Sequence, residues 1–98
     1  MDDPQDDIFV RHNPVEGRFE ARVRGELCVA EYVRRDGELV MTHTFVPPAL
    51  RGRGIAERIV RAALEYAQRE GLRIVPACSY VAAYIRRHAE FQPLVSGR

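Results

Sequence analysis

The chain has 98 residues, 46% of them hydrophobic and 30% charged, and a formal net charge of +1. This length suits one domain with a single modest core, and the nearly balanced charge gives no indication of a nucleic-acid partner. No apolar run approaches the length of a membrane helix, and the acidic start lacks the pattern of a signal peptide, so we expect a cytoplasmic protein with no membrane partner.

The first half of the chain predicts an acidic tail followed by consecutive antiparallel strands. Residues 1–7 are acidic and nearly free of apolar side chains, which predicts a flexible tail before a single domain over 8–98. Asp36 and Gly37 predict a tight hairpin turn, because both tolerate the positive φ that such turns require. Runs rich in strand-forming residues, bounded by turn residues, predict strands at 8–12, 18–23, 26–34 and 39–46.

The second half predicts a long helix, a short fifth strand and a short helix. Apolar residues recur at helical spacing over residues 55–70, and Gly71 supplies the C-cap. Residues 73–76 predict a strand that a right-handed crossover places parallel to the fourth. A short helix over 81–88 and an irregular or extended end over 91–95 follow. The predicted fold class is α+β, with a mostly antiparallel sheet of about five strands that ends in a splayed parallel pair.

The segment between the fourth strand and the long helix carries a candidate anion site. It reads Arg51-Gly52-Arg53-Gly54-Ile55-Ala56, after Pro47-Pro48 has ended the strand. Free N–H groups at a helix start attract anions, the glycines allow close backbone approach to a phosphate, and the arginines add positive donors. A Walker loop is excluded by the glycine spacing and the absence of lysine, and a dinucleotide fingerprint by Glu57 where a third glycine belongs. The alternative is a surface loop whose glycines form turns.

This loop resembles the coenzyme A loop of the GNAT acetyltransferases, which reads Arg/Gln-x-x-Gly-x-Gly/Ala between the fourth strand and the next helix. Arg51, Gly54 and Ala56 fill its defined positions. Further along, Pro76-Ala77-Cys78-Ser79-Tyr80 resembles the Pro-x-Cys-Ser-Tyr run of a short, stand-alone GNAT-like subgroup. The resemblance extends over residues 19–95. It implies a GNAT-like fold and an acetyl-CoA-dependent N-acetyltransferase, which transfers acetyl from acetyl-CoA to an unidentified amine.

The resemblance also implies where coenzyme A lies. The pyrophosphate would lie on main-chain amides of the loop, and the pantetheine arm would pair with the fourth strand like an added strand. Ordinary members place two helices between their first two strands, whereas residues 13–17 leave room only for a turn. The acceptor site is therefore expected to be open, so either a partner subunit, as in a homodimer, completes it or the acceptor itself is large. The predicted coenzyme A contacts are Thr44, Phe45, Val46, Arg51, Gly52, Arg53, Gly54, Ile55, Ala56, Ser79 and Tyr80.

The two cysteines form neither a disulfide framework nor a zinc spacing, so we expect reduced thiols and no metal. Cys78 follows the fifth strand, where the resemblance places the thioester. It is a candidate nucleophile that takes the acetyl group before passing it on, because a thiol exchanges readily with a thioester and a helix start lowers a thiol pKa. The alternatives are a noncovalent role beside the thioester, such as a proton shuttle, and simple packing. Cys28, in an apolar strand, is expected to pack in the core.

His43 is a candidate base, because imidazole exchanges protons readily near neutral pH. Strand alternation places it on the same face as Met41 and Phe45, just before the predicted pantetheine contacts, where it would deprotonate the amine or activate the nearby thiol. The alternative is a histidine in the core whose hydrogen-bonding groups are satisfied by the protein and that has no catalytic role. Tyr84 and Tyr80 are candidates to protonate the leaving thiolate, as a tyrosine after the fifth strand does in many relatives. Packing is the alternative for both.

Two other functions share much of this pattern. A noncatalytic module that binds coenzyme A or acyl-CoA would keep every loop feature and lack only a competent base or nucleophile. A small α+β interaction domain with an incidental glycine loop would have no affinity for coenzyme A.

Overall fold

Five strands and two α-helices make up the fold in a computed structural model, which describes residues 8–96. The tail predicted at residues 1–7 lies outside the described residues. The helices are α1 (Ile55–Glu70) and α2 (Ser79–Arg87), and two 3₁₀ segments lie at Pro48–Leu50 and Ala89–Leu94. The strands are β1 (Arg11–Asn13), β2 (Arg18–Val23), β3 (Glu26–Arg35), β4 (Glu38–Phe45) and β5 (Arg73–Pro76).

The strands form one mixed sheet in sequence order, β1-β2-β3-β4-β5. Each neighbouring pair is antiparallel except β4 and β5, which run parallel because α1 crosses between them. β1 and β2 are joined by a turn in which the Gly17 N–H donates to Pro14 O at 3.2 Å, so no helix separates them. This confirms the predicted α+β fold, with its parallel pair at one end and without helices between the first two strands.

Most boundaries match the expectation from sequence. β2, β5 and α1 occupy the predicted residues, β3 extends one residue further, and β4 begins and ends one residue earlier than predicted. β1 is shorter than predicted, because only residues 11–13 pair with β2. α2 begins at Ser79, two residues earlier than predicted, because Cys78 already acts as its N-cap. Tertiary pairing and capping, rather than periodicity, set these ends.

The C-terminal segment is more regular than predicted. Residues 89–94 form a 3₁₀ segment in which Phe91 is buried, with the Arg61 guanidinium carbon 5.1 Å from its ring centre. Val95 then makes a parallel bridge to Ile74 of β5. Packing on α1 and β5 therefore orders a run that has no clear periodicity of its own.

A β-bulge interrupts the pairing of β3 with β4. Met41 pairs with Tyr32. The preceding residue of β3, Glu31, pairs with His43, so Thr42 is the extra residue, and its hydroxyl donates to Glu31 O at 3.3 Å. The bulge reverses strand alternation, so Met41 is fully buried on the helix side whereas His43 is exposed. The prediction that these two residues share a face is wrong, because alternation by residue number assumes an uninterrupted strand.

The core lies between the sheet and its helices. Gly71 ends α1 in the left-handed conformation at φ 69°, as predicted. Cys28 is fully buried among apolar side chains, which confirms its packing role, and burial raises the pKa of its thiol. The buried residues of α1 are Ile55, Ile59, Val60, Ala63, Leu64 and Ala67.

Candidate functional site

A slot opens where the two parallel strands part. The pairing of β4 with β5 covers four residues of each strand, and it ends at Met41 of β4 and Pro76 of β5. The Cys78 N–H then donates to Met41 O at 2.8 Å, which is the last main-chain link between them. β4 continues to Phe45 without a β5 neighbour. The starts of α1 and α2 meet the end of β4 at this slot.

The loop before α1 takes a conformation that glycine adopts readily. Gly52 and Gly54 have φ of 81° and 77°, in the left-handed region. A Cβ added to Gly52 would meet nothing within 4 Å, and one added to Gly54 would meet only the Glu57 carboxylate at 3.9 Å. Conformation rather than space therefore requires glycine. Gly54 is the N-cap of α1 and makes no side-chain cap, so the first-turn N–H groups remain available to a ligand.

These segments border a cavity of about 340 Å³. Every predicted coenzyme A contact lines it except Arg53 and Ser79, while Leu50 and Glu57 line it in addition. The end of β4, the loop before α1 and the starts of both helices thus line the same cavity. The lining residues are Thr44, Phe45, Val46, Leu50, Arg51, Gly52, Gly54, Ile55, Ala56, Glu57 and Tyr80.

Arg51 joins the loop to the end of β4. Its Nε donates to Val46 O at 2.7 Å, and its guanidinium carbon lies 5.8 Å from the centre of the Phe45 ring. The sequence predicted Arg51 as a donor to phosphate, and the structure adds an intramolecular contact. The side chain therefore sets the spacing between the loop and the strand that face each other across the cavity.

Glu57 lines the cavity although no motif pointed to it. It lies in the first turn of α1 and is exposed. Burial raises the pKa of the Tyr80 phenol, and the Glu57 charge raises it further. A carboxylate in the first turn stabilises a helix dipole but repels an anion bound at the same helix end. Its place three residues after the N-cap glycine is the sequence signal that finds it.

Cys78 lies where β5, β4 and α2 meet. It is the N-cap of α2, its side chain is half-buried, and its Sγ lies 3.6 Å from Thr44 Oγ1. Burial alone would raise the pKa of the Cys78 thiol. The Val81 N–H, the Thr44 hydroxyl and the Tyr80 N–H together outweigh burial, so this pKa is lowered from its ordinary value. At a given pH a larger fraction of this thiol is ionised than in an ordinary cysteine.

His43 lies on the other face of β4 from this thiol. His43 and Phe45 are both exposed, with ring centroids 6.5 Å apart. Thr44, between them in sequence, faces the helix side, where Cys78 lies. The structure therefore brings Cys78 together with Thr44 rather than with His43.

The two candidate tyrosines lie in different surroundings. Tyr80 lines the cavity, whereas Tyr84 is 2% exposed and is not among the lining residues. Tyr84 stacks on His88 with ring centroids 3.9 Å apart, and its hydroxyl lies beside the Arg61 guanidinium. Burial raises the pKa of both phenols. Of the two tyrosines, Tyr80 is the one that borders space for a ligand.

Among residues 8–96, no group of three or more His, Cys, Asp or Glu side chains is placed to hold a metal ion. Over the same part of the chain, no helix has both the length and the apolar character needed to cross a membrane.

Fold and cavity together define an α+β domain in which a glycine loop and an uncapped helix start suit an extended ligand with phosphate groups. A family model described as GCN5-related N-acetyl-transferase matches residues 18–94. The chain therefore belongs to the GCN5-related N-acetyltransferase family, the GNAT family that its loop resembles.

Proteins named NATD1 are similar to the chain over most of its length. Protein NATD1 of Xenopus tropicalis is 32% identical over 90 residues, which cover 88% of this chain and 82% of that protein. The protein of the same name from Homo sapiens is 34% identical over 86 residues, covering 83% of this chain and 74% of its own. That of Danio rerio is 29% identical over 91 residues, covering 89% and 82%. The similarity thus extends well beyond the glycine loop.

Proposed function

We propose that the chain is an acetyl-CoA-dependent N-acetyltransferase, which transfers the acetyl group to the amine of an acceptor. Membership of the family supports acetyl transfer in general. One observation carries the proposal for this chain: the left-handed glycine loop, the uncapped start of α1 and Thr44, the neighbour of Cys78, line one cavity. We place the activity in a single domain over residues 8–98, of the short stand-alone subgroup that the run Pro76-Ala77-Cys78-Ser79-Tyr80 resembles.

Main-chain groups of the loop hold the pyrophosphate in this proposal. The N–H groups of Ile55 and Ala56 lie in the first turn of α1, where the helix dipole favours an anion. Gly54 leaves the approach to them free of a side chain. Arg51 and Arg53 add positive charge on either side of Gly52 in the same loop, which favours a ligand with two phosphate groups.

The end of β4 holds the pantetheine arm. This arm carries amide groups, which pair with free main-chain groups as an added strand does. Thr44, Phe45 and Val46 are the residues for this pairing, and Val46 O also accepts from Arg51 Nε. This direction of entry brings the thioester to the slot beside Cys78, which follows the end of β5.

Direct transfer needs one proton donor and one proton acceptor. The acceptor nitrogen attacks the acetyl carbonyl carbon, the carbon–sulfur bond breaks, and the sulfur leaves as a thiolate. Tyr80 protonates this thiolate, because Tyr80 lines the cavity whereas Tyr84 is buried in the core. We assign His43 to take the proton from the amine, which requires an acceptor that approaches from the face of β4 opposite to α1, where His43 is exposed.

Acetyl transfer through a covalent intermediate on Cys78 is the other route that this site allows. Its thiolate attacks the acetyl carbon, coenzyme A leaves as a thiolate, and a thioester forms on Cys78. The acceptor amine then attacks this second thioester and regenerates the Cys78 thiolate. Mass spectrometry of the protein mixed with acetyl-CoA in the absence of amine separates the routes, since only the covalent route leaves an acetyl group on Cys78.

The acceptor side of the site is open. The short β1–β2 turn supplies no wall, and Val33 and Phe45 are 54% and 40% exposed on the sheet face opposite to α1. An acceptor with an extended surface of its own, such as a protein side chain or terminus, fits this face. A second copy of the chain in a homodimer is the other way to complete it.

A noncatalytic module that binds coenzyme A is the second candidate function. It is favoured by one observation, the exposure of His43 on the face of β4 that does not carry Cys78. Such a module binds acetyl-CoA and releases no free coenzyme A when amines are added.

Thermal unfolding with and without acetyl-CoA tests the binding that both functions require. A ligand at about 100 times its Kd adds roughly 2.7 kcal/mol, which raises the midpoint of a domain this size by on the order of 10 °C. Adenosine diphosphate controls for binding of any anion. No rise contradicts both functions. A rise followed by release of free thiol from acetyl-CoA in the presence of amines supports transfer, and a rise without release supports the binding module.

A further inference from the structure

The bulge at Thr42 decides which side chain of β4 meets the reactive sulfur. Without the extra residue, His43 would continue the face of Met41 toward the helix side. With it, Thr44 takes that face, and Thr44 Oγ1 lies 3.6 Å from Cys78 Sγ. The bulge is itself held by the Thr42 hydroxyl, which donates to β3 at 3.3 Å. The contact between Thr44 and Cys78 is thus built by the fold and not by a flexible loop.

Cys78 is held against β4 at two points. Its N–H donates to Met41 O at 2.8 Å, and its Sγ meets the Thr44 hydroxyl. The N–H groups of Val81 and Tyr80 at the start of α2 also favour the charged form of the sulfur, although Cys78 makes no side-chain cap hydrogen bond there. Thr44 supplies the side-chain donor.

We propose that Thr44 is a positioning residue for the reactive sulfur, with its hydroxyl donating a hydrogen bond to the Cys78 thiolate beside the cavity. The inference rests on the acetyl-transfer site proposed above, but it concerns a property of the free protein. A hydroxyl at this place favours the charged form of the sulfur and fixes its direction. Thr44 also lines the cavity, so the same side chain links the sulfur to the space that a ligand fills.

Alkylation of Cys78 by iodoacetamide in the ligand-free protein tests this role. Its rate follows the thiolate fraction, so a series of pH values gives the apparent pKa of the thiol, and peptide mass spectrometry reads Cys78 separately from Cys28. Cys28 is fully buried and serves as an internal control for unfolding, since its alkylation stays slow while the fold is intact. The variants are Thr44→Val, which keeps the shape and removes the hydroxyl, and Thr44→Ser, which keeps the hydroxyl.

Thr44→Val should raise the apparent pKa of Cys78 by about one unit, the equivalent of one hydrogen bond to a charged group. Alkylation near neutral pH should slow by about three- to fourfold, because the thiolate fraction falls about tenfold while each thiolate becomes about threefold more nucleophilic. Thr44→Ser should keep the wild-type profile. Tyr32→Phe is the control, because it also removes a hydroxyl from the sheet, and it should leave the profile unchanged, since that hydroxyl lies 2.6 Å from His12 Nε2 rather than beside Cys78.

An unchanged profile in Thr44→Val would overturn the proposal, and so would an equal shift in Thr44→Ser, which would assign the effect to packing. Release of coenzyme A from acetyl-CoA is then measured on the same proteins. A shifted profile in Thr44→Val with no release by the wild type contradicts the transferase and leaves the positioning role standing. An unshifted profile with release by the wild type contradicts only the positioning role.

Discussion

The two edges of the sheet differ in whether their polar groups have hydrogen-bond partners within the protein. At the β1–β2 edge, the Glu20 carboxylate is 7% exposed and accepts from Arg11 Nη2 at 2.6 Å and from Arg18 Nε at 2.7 Å. Close by, His12 Nε2 lies 2.6 Å from the Tyr32 hydroxyl. At the β4–β5 edge, the start of α1 makes no side-chain cap, and β4 continues beyond the end of β5.

This difference separates stability from binding. Polar groups that satisfy one another stabilise a fold and have no capacity left for a ligand, whereas groups left without protein partners lower stability and are free to bind. Substitutions at the paired edge should therefore change the free energy of unfolding and leave coenzyme A affinity alone. Substitutions at the open edge should change coenzyme A affinity, whatever they do to stability.

Gly54→Val should have the largest effect on the open edge. The φ of 77° at Gly54 lies in the left-handed region, so valine strains the loop and places a branched side chain beside the first-turn N–H groups. The Kd for acetyl-CoA should rise about 100-fold, the equivalent of losing two hydrogen bonds to a charged group. Isothermal titration calorimetry measures it.

Gly25→Val is the matched control for this substitution. Gly25 has φ of 79° and nothing within 4 Å of an added Cβ, but it lies in the turn between β2 and β3. Both variants should lose about 1–2 kcal/mol of stability from backbone strain. Only Gly54→Val should lose affinity, and an equal loss in both would contradict the assignment of the loop to coenzyme A.

Glu20→Gln should have the largest effect on the paired edge. It removes the charge that Arg11 and Arg18 share, so the free energy of unfolding should fall by about 2 kcal/mol. Urea denaturation measures the change, and the Kd for acetyl-CoA should stay at its wild-type value. Glu26→Gln, an exposed acid on β3, is the control and should change stability by less than about 0.5 kcal/mol. Equal losses of stability in the two variants would show that the buried ion pairs of Glu20 contribute no more to the free energy of unfolding than an exposed acid does.

The pH dependence of this effect follows from the Glu20 pKa. Hydrogen bonds from Arg18 and then Arg11 lower that pKa from 4.5 to about 2. The ionised carboxylate is therefore favoured by folding, and its contribution is complete above pH 4.5 and lost as the pH falls toward about 2. The difference in unfolding free energy between wild type and Glu20→Gln should be constant between about pH 6 and 8 and shrink below pH 4.5. A difference that does not fall between pH 6 and about pH 2 would contradict the lowered pKa.

Local patterns were enough to predict most of the fold. α1 was predicted from residue 55 to about residue 70, as observed, because its apolar spacing is regular and Gly71 marks its end. The hairpin before β4 was predicted because Asp36 and Gly37 tolerate positive φ, and their φ values are 27° and 76°. The bulge at Thr42 was not predictable, because an extra residue in a strand becomes visible only when the partner strand is aligned with it.

In the site, too, features set by consecutive residues were predictable, and features set by contacts between distant residues were not. The glycine loop was predictable because positive φ and a helix start leave a pattern in consecutive residues. The pairing of Cys78 with Thr44 joins residues 34 positions apart and depends on the bulge, so the sequence favoured His43 instead. Residue type alone did not separate Tyr80 from Tyr84, since packing of α2 against Arg61 of α1 buries one and not the other.

Glu57→Gln should have the smallest effect and the most informative sign. The Glu57 carboxylate lines the cavity at the helix end proposed for the pyrophosphate, so removing its charge should tighten acetyl-CoA binding by about threefold at low salt. The same change should lower stability by about 0.5 kcal/mol, because an acid in the first turn favours the helix dipole.

Glu70→Gln makes the same charge change at the other end of α1. It should leave the Kd unchanged and raise stability slightly, because an acid in the last turn opposes the dipole. Titration calorimetry at low and high salt, with urea denaturation beside it, measures both properties. Opposite signs for affinity and stability in Glu57→Gln are expected if the open edge gives up stability for binding. Weaker binding in that variant would instead indicate that Glu57 contacts the ligand, and it would contradict the expectation that this charge favours stability at the expense of binding.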